Sequence, residues 1–351
     1  MRALTVAPGV ADSARVEDVP DPPASDGSVL VRTLALGVCG TDREIVSGHY
    51  GWAPPGQQRL VIGHESLGRV QEAPAGCGVK PGDIVVGIVR RPDPVPCHAC
   101  AVGEWDMCLN GRYTERGIKE RNGFGSEFFR IEPDFLIKVE PSLGTAGVLL
   151  EPTSVVAKAW DHTERIGHRS RSWQPHTLLV TGAGPVGLLA ALMGAQRGLD
   201  VHLLDHRDNL RKRRLCDALG ATYHAESLEN LNGFEPDILM ECSGAPSVVR
   251  DVLGRTAADG IVCLVGVTAP GHDFDVDLGA LNRTMVLNNE TLFGTVNANR
   301  THYEMAHKAL SRADRGWLDG LITRREPVEQ WTLSLERQPD DIKVIIDFAG
   351  T

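Results

Sequence analysis

The sequence has no excess of positive charge. Its 351 residues include 36 lysines and arginines against 46 aspartates and glutamates, so the formal net charge is −10 at pH 7. A surface of this sign repels phosphate backbones and anionic lipid headgroups. The composition therefore disfavours nucleic acid and membranes as partners.

A segment that would direct the chain to a membrane is also lacking. The first ten residues, MRALTVAPGV, contain one arginine and are followed by no apolar run of signal-peptide length. Residues 177–196 carry no charge and are long enough to cross a bilayer, but glycines and a proline cluster in their first half. A buried strand, a glycine turn and a buried helix explain this stretch better than a membrane span.

The cysteines do not form the pattern of a disulfide framework. Eight are spread over the chain, and three of them, Cys97, Cys100 and Cys108, lie within one short segment. C-x2-C spacing in a chain without a signal peptide indicates metal binding rather than disulfides. We therefore expect a reducing, cytoplasmic location.

The pattern of apolar residues changes near residue 150. Before it, short segments rich in valine, leucine and isoleucine are separated by glycine and proline, which predicts a β-barrel with long loops. After it, strand-like segments such as 176–182 and 200–205 alternate with helical ones, as in β-α-β units with a parallel sheet. A last strand is predicted at 342–348, and the length suits about two domains.

A glycine-rich turn in the second half predicts a dinucleotide site. Gly182, Gly184 and Gly187, with Pro185 and Val186, form G-x-G-x-x-G between a predicted strand and a predicted helix. The first glycine permits a tight turn, the second lets the backbone approach the pyrophosphate, and the third packs helix on strand. The N–H groups at the start of the helix would face the phosphates.

An acidic residue ends the next predicted strand. Asp205 can accept hydrogen bonds from both ribose hydroxyls, and its charge would repel the 2′-phosphate of NADP. His206 and Arg207 follow directly, and an arginine there can pair with that phosphate. The sequence favours NAD, and use of both cofactors stays open.

The first half contains a candidate set of catalytic metal ligands. Cys39 lies in GVCGTD, and His64 and Glu65 lie in VIGHES, each beside a predicted strand. Thiolate, imidazole and carboxylate groups are ligands of catalytic zinc, which keeps one position open for substrate. Glu151, in LLEPTSV, completes a plausible set of four.

The cysteine cluster is a second candidate metal site, of the structural kind. A structural zinc normally has four protein ligands, and Cys97, Cys100 and Cys108 have no fourth cysteine nearby. Asp93 or His98 could supply the missing ligand, or the site could be weakened or empty.

Together these motifs resemble the zinc-containing medium-chain dehydrogenase/reductase superfamily, and within it most closely the archaeal-type glucose 1-dehydrogenases. The resemblance covers nearly the whole chain. It is carried by CGTDREIVSGHYG (39–51), LVIGHESLGRV (60–70), CHACAVGEWDMC (97–108), ERNGFGSEFFRIEPDFLIKV (120–139) and GVLLEPTSVVAKAW (147–160). Related sugar and polyol dehydrogenases share many of these residues, so the superfamily is indicated more specifically than the substrate.

The resemblance implies an α/β protein with two kinds of domain. A GroES-like β-barrel catalytic domain would occupy residues 1–155, and a Rossmann domain with a doubly wound parallel sheet would occupy residues 156–300. Residues 301–351 would return to the catalytic domain. Zinc and NAD or NADP are the implied cofactors, and a homo-oligomer, either tetramer or dimer, is the implied assembly.

The resemblance also implies roles for individual residues. The catalytic zinc would be held by Cys39, His64 and, directly or through water, Glu65 and Glu151. Thr41 would relay the proton of the substrate hydroxyl, and Asp42 would orient the zinc-binding histidine. The sugar would be bound by Thr41, Glu65, Glu115, Glu151 and Asn297. The cofactor would be contacted by Gly182, Gly184, Pro185, Val186, Gly187, Asp205, His206, Arg207, Val267, Thr295, Val296, Asn297 and, through its phosphates, Lys343.

Two departures from the family pattern bear on these roles. The family's cysteine loop usually has a fourth cysteine just before Cys97, where this sequence reads PDPVP (92–96). The ribose-reading segment of the glucose enzymes is usually neutral at its first position and basic after it, which suits NADP. Asp205 is acidic at that position.

The predicted reaction is oxidation of an aldose, with D-glucose the best candidate, at C1 to the lactone by NAD or NADP. Zinc would supply a Lewis acid that lowers the pKa of the hydroxyl, and Thr41 would pass the proton outward. Other substrates of the same chemistry stay open: a polyol, another sugar or a simple alcohol. A zinc-free reductase of the same fold and a non-enzymatic NAD-binding relative are the alternatives from other classes.

Overall fold

The chain folds into two compact units in the computed structural model, which describes residues 1–231, 233–268, 271 and 275–348. The first unit comprises Met1–Ser154 with Asn297–Thr351, and the second comprises Val155–Val296. The boundaries predicted from the sequence lie at residues 155/156 and 300/301. Within the described ranges, no helix has the length and apolar character that a membrane span needs.

The regular elements have the following bounds. The strands are β1 (Arg2–Val6), β2 (Arg15–Asp18), β3 (Val29–Val38), β4 (Leu60–Val61), β5 (Glu65–Glu72), β6 (Ile84–Gly87), β7 (Arg90–Arg91), β8 (Thr114–Arg116), β9 (Glu120–Arg121), β10 (Phe128–Ile131), β11 (Leu136–Lys138), β12 (Thr177–Thr181), β13 (Asp200–Leu204), β14 (Thr222–His224), β15 (Ile238–Glu241), β16 (Ile261–Leu264), β17 (Thr291–Gly294), β18 (Ile322–Pro327) and β19 (Lys343–Asp347). The α-helices are α1 (Gly40–Val46), α2 (His98–Ala101), α3 (Leu150–Gly167), α4 (Pro185–Ala195), α5 (Leu210–Ala218), α6 (Pro246–Asp251), α7 (Leu278–Asn288), α8 (Arg300–Arg312), α9 (Arg315–Leu321) and α10 (Trp331–Leu335). Short 3-10 helices cover Ala24–Asp26, Trp105–Met107, Pro133–Phe135, Pro141–Leu149, Leu228–Asn230 and Val328–Gln330.

The first unit is rich in antiparallel strands that share one apolar core. Its largest sheet has the order β11-β6-β5-β3-β19-β18, and β10 also pairs with β3. Two three-stranded sheets, β2-β1-β4 and β7-β8-β9, complete the unit. Buried side chains from several of these strands pack together, among them Leu4, Val31, Val70, Val85 and Ile131.

The ten-residue strand β3 lies at the centre of the largest sheet. Its first six residues alternate between buried and partly buried, as expected for a strand with one face toward the core, and its last four are all buried. Two antiparallel neighbours flank this end, because Gly37 pairs with Glu65 of β5 and Val38 pairs with Val344 of β19. The end of β3 therefore lies beside the first residues of β5 and β19.

The second unit contains a six-stranded sheet in the order β14-β13-β12-β15-β16-β17, in which every pairing is parallel. The chain starts at the central β12, moves outward to β14, and then returns to extend the sheet on the other side, which is the doubly wound arrangement. The uncharged stretch 177–196 forms β12, the glycine turn and the buried helix α4. The predicted α/β class, with a strand-rich unit and a parallel-sheet unit, is confirmed.

Candidate active site

The fold of the first unit brings together side chains that are far apart in sequence. Cys39 follows β3 and is the N-cap residue of α1, His64 and Glu65 lie at the start of β5, and Lys343 begins β19. Because β3 runs antiparallel to both of its neighbours here, its end meets their beginnings. The pairing register therefore determines the geometry of this site.

Three of the predicted zinc ligands form one cluster. The ligand atoms of Cys39, His64 and Glu65 all lie within 4.8 Å of one another, and Cys39 Sγ is 3.1 Å from His64 Nε2. His64 and Glu65 are buried, whereas Cys39 is partly exposed. A thiol, an imidazole and a carboxylate at this spacing fit a zinc ion.

Glu151, the fourth predicted ligand, does not belong to that cluster of atoms. It lies in the first turn of α3 and is partly buried. Burial raises the pKa of Glu151 to about 7, although the charges of His64 and Lys343 oppose this shift. The carboxyl group therefore interacts electrostatically with His64 and Lys343, although it is not one of the clustered ligand atoms.

Asp42 anchors both Cys39 and His64. Its Oδ2 accepts a hydrogen bond from the Cys39 N–H at 2.9 Å, which closes a capping box at the start of α1. Its Oδ1 lies 3.4 Å from His64 Nδ1, on the side of the ring opposite the cysteine. This contact is the one predicted for a carboxylate that orients a zinc-binding histidine.

The pKa values of this pair follow from its burial and charges. Burial opposes protonation of His64, but the neighbouring Cys39 and Asp42 charges hold the pKa of that ring well above its usual range. Burial likewise opposes ionisation of Asp42, while the His64 charge and the Cys39 N–H lower the pKa of the carboxyl group. Cationic charge is therefore favoured where the zinc would lie.

Lys343 corrects one prediction from the sequence. It was expected to reach the cofactor phosphates, but its Nζ donates to both Glu65 carboxylate oxygens, at 2.7 and 2.6 Å, and it is only 1% exposed. The reason is its place at the start of β19, which packs its side chain into the first unit. Gly37 makes room for the pair, because a Cβ there would lie 1.9 Å from Glu65 Oε2.

A second polar group in the first unit joins two of the predicted sugar-binding residues. Asn297 donates through Nδ2 to Glu115 Oε1 at 2.6 Å, although 182 positions separate them. Arg90 donates to the same oxygen through Nε and Nη2, at 3.1 and 3.0 Å, and its guanidinium lies 3.7 Å from the centre of the Tyr113 ring. Arg90 and Glu115 are both buried. Sequence reasoning missed Arg90, since a charge directly after an apolar strand does not reveal its partner.

Thr41, the predicted proton relay, is the second residue of α1 and is partly buried. It lies between Cys39 and Asp42 along the chain, at the start of the helix that Cys39 caps. Its role as a proton relay stays a prediction from the sequence.

The predicted dinucleotide turn has the expected shape in the second unit. It links β12 to α4, whose first residue is Pro185. Gly187 is required by packing, because a Cβ there would lie 1.8 Å from the Gly182 carbonyl oxygen. A Cβ on Gly184 would instead occupy open space, where a bound pyrophosphate would approach the backbone. The turn and the free N–H groups of the α4 start therefore fit a dinucleotide.

The other predicted cofactor contacts of this unit follow strand ends. Asp205, His206 and Arg207 come after β13, Val267 comes after β16, and Thr295 and Val296 come after β17. Because all these strands are parallel, their carboxyl ends share one edge of the sheet, which is where ligands bind in open α/β sheets. Asp205 is buried, whereas His206, Arg207, Val267 and Val296 are exposed.

The cysteine loop brings its three sulfur atoms together but not the proposed fourth ligand. Sγ atoms of Cys97, Cys100 and Cys108 all lie within 4.8 Å of one another. Backbone N–H groups of Cys100 and Leu109 donate to Cys97 and lower the pKa of its thiol to about 6. Burial raises the pKa of the Cys100 thiol to about 11.

Asp93 is one of two candidates for the fourth ligand of this loop, and its carboxylate has other hydrogen-bond partners in the structure. Oδ1 accepts from the Val95 N–H at 2.9 Å, and Oδ2 accepts from Asn110 and Arg112 at 2.7 and 3.2 Å. These three donors occupy both oxygens. His98, the other candidate, is exposed and does not belong to the sulfur cluster either.

Comparison with known proteins covers the whole chain. A family model for the alcohol dehydrogenase GroES-like domain matches residues 25–141, and a model for the glucose dehydrogenase C-terminus matches residues 144–348. Glucose 1-dehydrogenase of Methanocella arvoryzae is 38% identical over 361 aligned residues, which span all of both chains. Glucose 1-dehydrogenase of Thermoproteus tenax is 39% identical over 357 aligned residues, or 99% of each chain.

Solved structures give the same match. The structure of Haloferax mediterranei glucose dehydrogenase in complex with NADP, Zn and gluconolactone is similar to this chain with a TM-score of 0.90. The two sequences are 32% identical, and the match covers 99% of each chain.

Proposed function

This chain belongs to the glucose dehydrogenase family, and we propose that it oxidises D-glucose at C1 to the lactone while reducing NAD or NADP. The observation that carries the proposal is the Cys39, His64 and Glu65 cluster in a chain that also contains a dinucleotide turn. Glucose 1-dehydrogenases that match over their full length support it. The NADP, zinc and gluconolactone bound to the Haloferax mediterranei enzyme support the same chemistry.

Cys39, His64 and Glu65 would hold the zinc ion. When bound, zinc supplies a Lewis acid that lowers the pKa of a substrate hydroxyl. Asp42 keeps the His64 ring in the orientation that presents Nε2 to the cluster. Lys343 donates to both oxygens of Glu65 and so provides the buried carboxylate with hydrogen-bond partners and a compensating charge.

Thr41 would accept the proton that leaves the C1 hydroxyl. A hydroxyl group both accepts and donates, so it can pass a proton on without holding a charge. Thr41 is partly exposed, as a residue that passes a proton outward would be. Glu151, whose pKa is raised to about 7 by burial, is suited to bind a sugar hydroxyl in either protonation state.

Glu115 and Asn297 would recognise the hydroxyl groups of the sugar. Arg90 and Asn297 both donate to Oε1 of Glu115, and none of the described residues donates to its Oε2. A substrate hydroxyl would satisfy that second oxygen, while a simple alkyl alcohol would leave it without a partner. A site built to accept a hydrogen bond from a substrate hydroxyl favours substrates that supply one, so the set favours polyhydroxy substrates.

Two features of the proposal extend beyond the site. A cytoplasmic location stays a prediction from the sequence. A homo-oligomer, tetramer or dimer, stays a prediction from the sequence.

The proposal is tested by metal removal and substrate comparison on one preparation. Zinc is removed with a chelator, its loss is verified by elemental analysis, and half of the sample is reloaded with zinc. Reduction of NAD and of NADP is then followed with D-glucose, D-galactose, D-xylose, sorbitol and a simple secondary alcohol. We expect D-glucose to be the best substrate, activity only in the reloaded half, and lactone as the product. Full activity in the verified zinc-free half would contradict the role of the cluster.

A further inference from the structure

A buried ion pair lies where the adenosine ribose would be read in the second unit. Asp205 follows β13 and is only 6% exposed, and its Oδ2 accepts a hydrogen bond from Lys212 Nζ at 2.5 Å. Its Oδ1 accepts from the His206 N–H at 2.9 Å and lies 3.0 Å from His206 Nδ1. The Gly182 N–H donates to the Leu204 carbonyl at 2.8 Å, which places Asp205 directly beside the dinucleotide turn.

The position of Lys212 in its helix is unusual. It lies in the first turn of α5, where Asn209 is the N-cap and accepts from the Lys212 N–H at 3.1 Å. A cation there is disfavoured by the positive end of the helix dipole, and this first turn contains no acidic residue that would offset it. Local rules are broken most often at functional sites. The Asp205 carboxylate, which is paired with Lys212, compensates for this placement.

Asp205 alone would repel a phosphate, but the basic residues around it reverse the sign of the local charge. Lys212 offsets the charge of Asp205, and its side chain keeps 14% of its surface exposed. Arg207 and Arg211 are exposed at the same end of the sheet. A 2′-phosphate would therefore meet a site of net positive charge.

We propose that Lys212 allows the chain to accept NADP as well as NAD. Paired with Lys212, Asp205 no longer repels a 2′-phosphate, and the ammonium donates to that phosphate when NADP binds. With NAD, the carboxylate accepts from the ribose hydroxyl while Lys212 holds it in place. The chain thus uses both cofactors, although its ribose-reading residue is acidic. This inference rests on the proposed dehydrogenase function.

The test measures nucleotide binding by calorimetry on the full-length protein, without turnover. The probes are adenosine 2′,5′-bisphosphate, which carries the 2′-phosphate, and 5′-AMP, which has a free 2′-hydroxyl. We compare the wild type with Lys212→Met and with the control Arg214→Met, which removes the same charge from an exposed position on the same helix. Lys212→Met is expected to weaken the bisphosphate about ten- to a hundredfold, the range for one charged hydrogen bond. It should leave 5′-AMP within about threefold, and the control should change both probes alike.

A second variant keeps the test decisive if Lys212→Met leaves Asp205 unpaired and the protein fails to fold. Lys212→Met combined with Asp205→Asn removes both charges, and Asp205→Asn alone leaves Lys212 without its partner. We expect Asp205→Asn to bind the bisphosphate more tightly than the wild type and the double variant to lose that gain. Equal bisphosphate affinity in those two variants would overturn the proposal, because the gain would then not depend on Lys212.

The wild type itself separates this inference from the proposed function. If it binds 5′-AMP but not the bisphosphate, the inference about Lys212 is overturned and the dehydrogenase function stands. If it binds neither nucleotide, nor NAD or NADP, the proposed function fails and the inference fails with it.

Discussion

Lys343 and Glu65 form a buried ion pair across a strand, with Nζ 2.7 and 2.6 Å from the two carboxylate oxygens. Each residue begins its own strand, and β3 lies between those strands in the sheet. The pair places a cation directly beside three groups that would bind another cation. Breaking such a pair leaves a buried charge without compensation, whereas removing both partners does not.

Lys343→Met is therefore expected to destabilise the zinc-free protein by about 3–5 kcal/mol. Chemical denaturation of chelator-treated protein measures this change in the free energy of unfolding. The matched control is Lys343→Met with Glu65→Gln, which removes both charges and should recover most of the loss. A single variant as stable as the wild type would show that the ion pair does not stabilise the zinc-free protein.

A second prediction separates the two contacts of Asp42. Asp42→Asn keeps an oxygen that can accept from the Cys39 N–H but removes the charge that faces His64. Its affinity for zinc should fall about 10- to 100-fold, as for other carboxylates behind a metal-binding histidine. Asp42→Ala should show the same loss and cost about 1 kcal/mol of stability in addition, because the capping box is gone. Competition with a coloured chelator and thermal denaturation provide the two measurements.

The outcome for Asp42→Asn decides the interpretation. Zinc affinity equal to that of the wild type would mean that the carboxylate stabilises α1 and does not act through His64.

A third prediction compares one substitution at the two cysteine sites. Cys39→Ser should lower turnover by several orders of magnitude, because the loss of the Lewis acid removes several kcal/mol of transition-state stabilisation. Cys97→Ser should leave turnover nearly unchanged and lower the thermal midpoint instead, since its contacts lie within the cysteine loop. Steady-state kinetics, zinc content and melting curves are measured for both variants, and similar turnover in the two would refute the assignment.

Most of the structure that could be predicted from the sequence lies in motifs whose residues are neighbours along the chain. The glycine turn, its strand and its helix are neighbours in sequence, so spacing alone indicates their structure. The cluster of Cys39 with His64 was predictable through a family resemblance, which supplies the long-range pairing that one sequence does not contain.

The partners of buried charges were not predictable. Lys343 and Glu65 are 278 positions apart, and only the register of β3 with its neighbours shows that they meet. Asp93 was misjudged for the opposite reason, because its carboxylate is occupied by donors from its own loop. Counting candidate ligands in a sequence does not reveal whether other donors already hold them.

A pair of histidines in the parallel sheet provides a prediction about pH. His202 of β13 and His224 of β14 share a hydrogen bond of 2.9 Å between Nδ1 and Nε2, and their rings stack with an interplanar angle of 10°. Burial and, after it, the charge of His202 lower the pKa of His224, although Glu226 opposes the shift. Protonation of His224 would place a positive charge on a partly buried ring, which is unfavourable.

The sign of the effect on stability follows from proton binding. A histidine in the unfolded chain has a pKa of about 6.5, so below that pH the unfolded state binds more protons at this position than the folded state does. The contribution of neutral His224 is therefore complete above about pH 6.5 and is lost as the pH falls toward its lower folded pKa.

His224→Gln removes this titration. Between about pH 7.5 and about pH 5.5, we expect the thermal midpoint of the wild type to fall further than that of the variant. All other titrating groups are common to both proteins, so the difference between the two curves isolates His224. Protonation of His224 destabilises the wild type only at low pH. If glutamine lowers the thermal midpoint at neutral pH, the two curves should therefore converge toward about pH 5.5. Parallel curves over the whole range would show that the pair accepts a second proton freely, and the hydrogen bond between the rings would then have no effect on stability in acid.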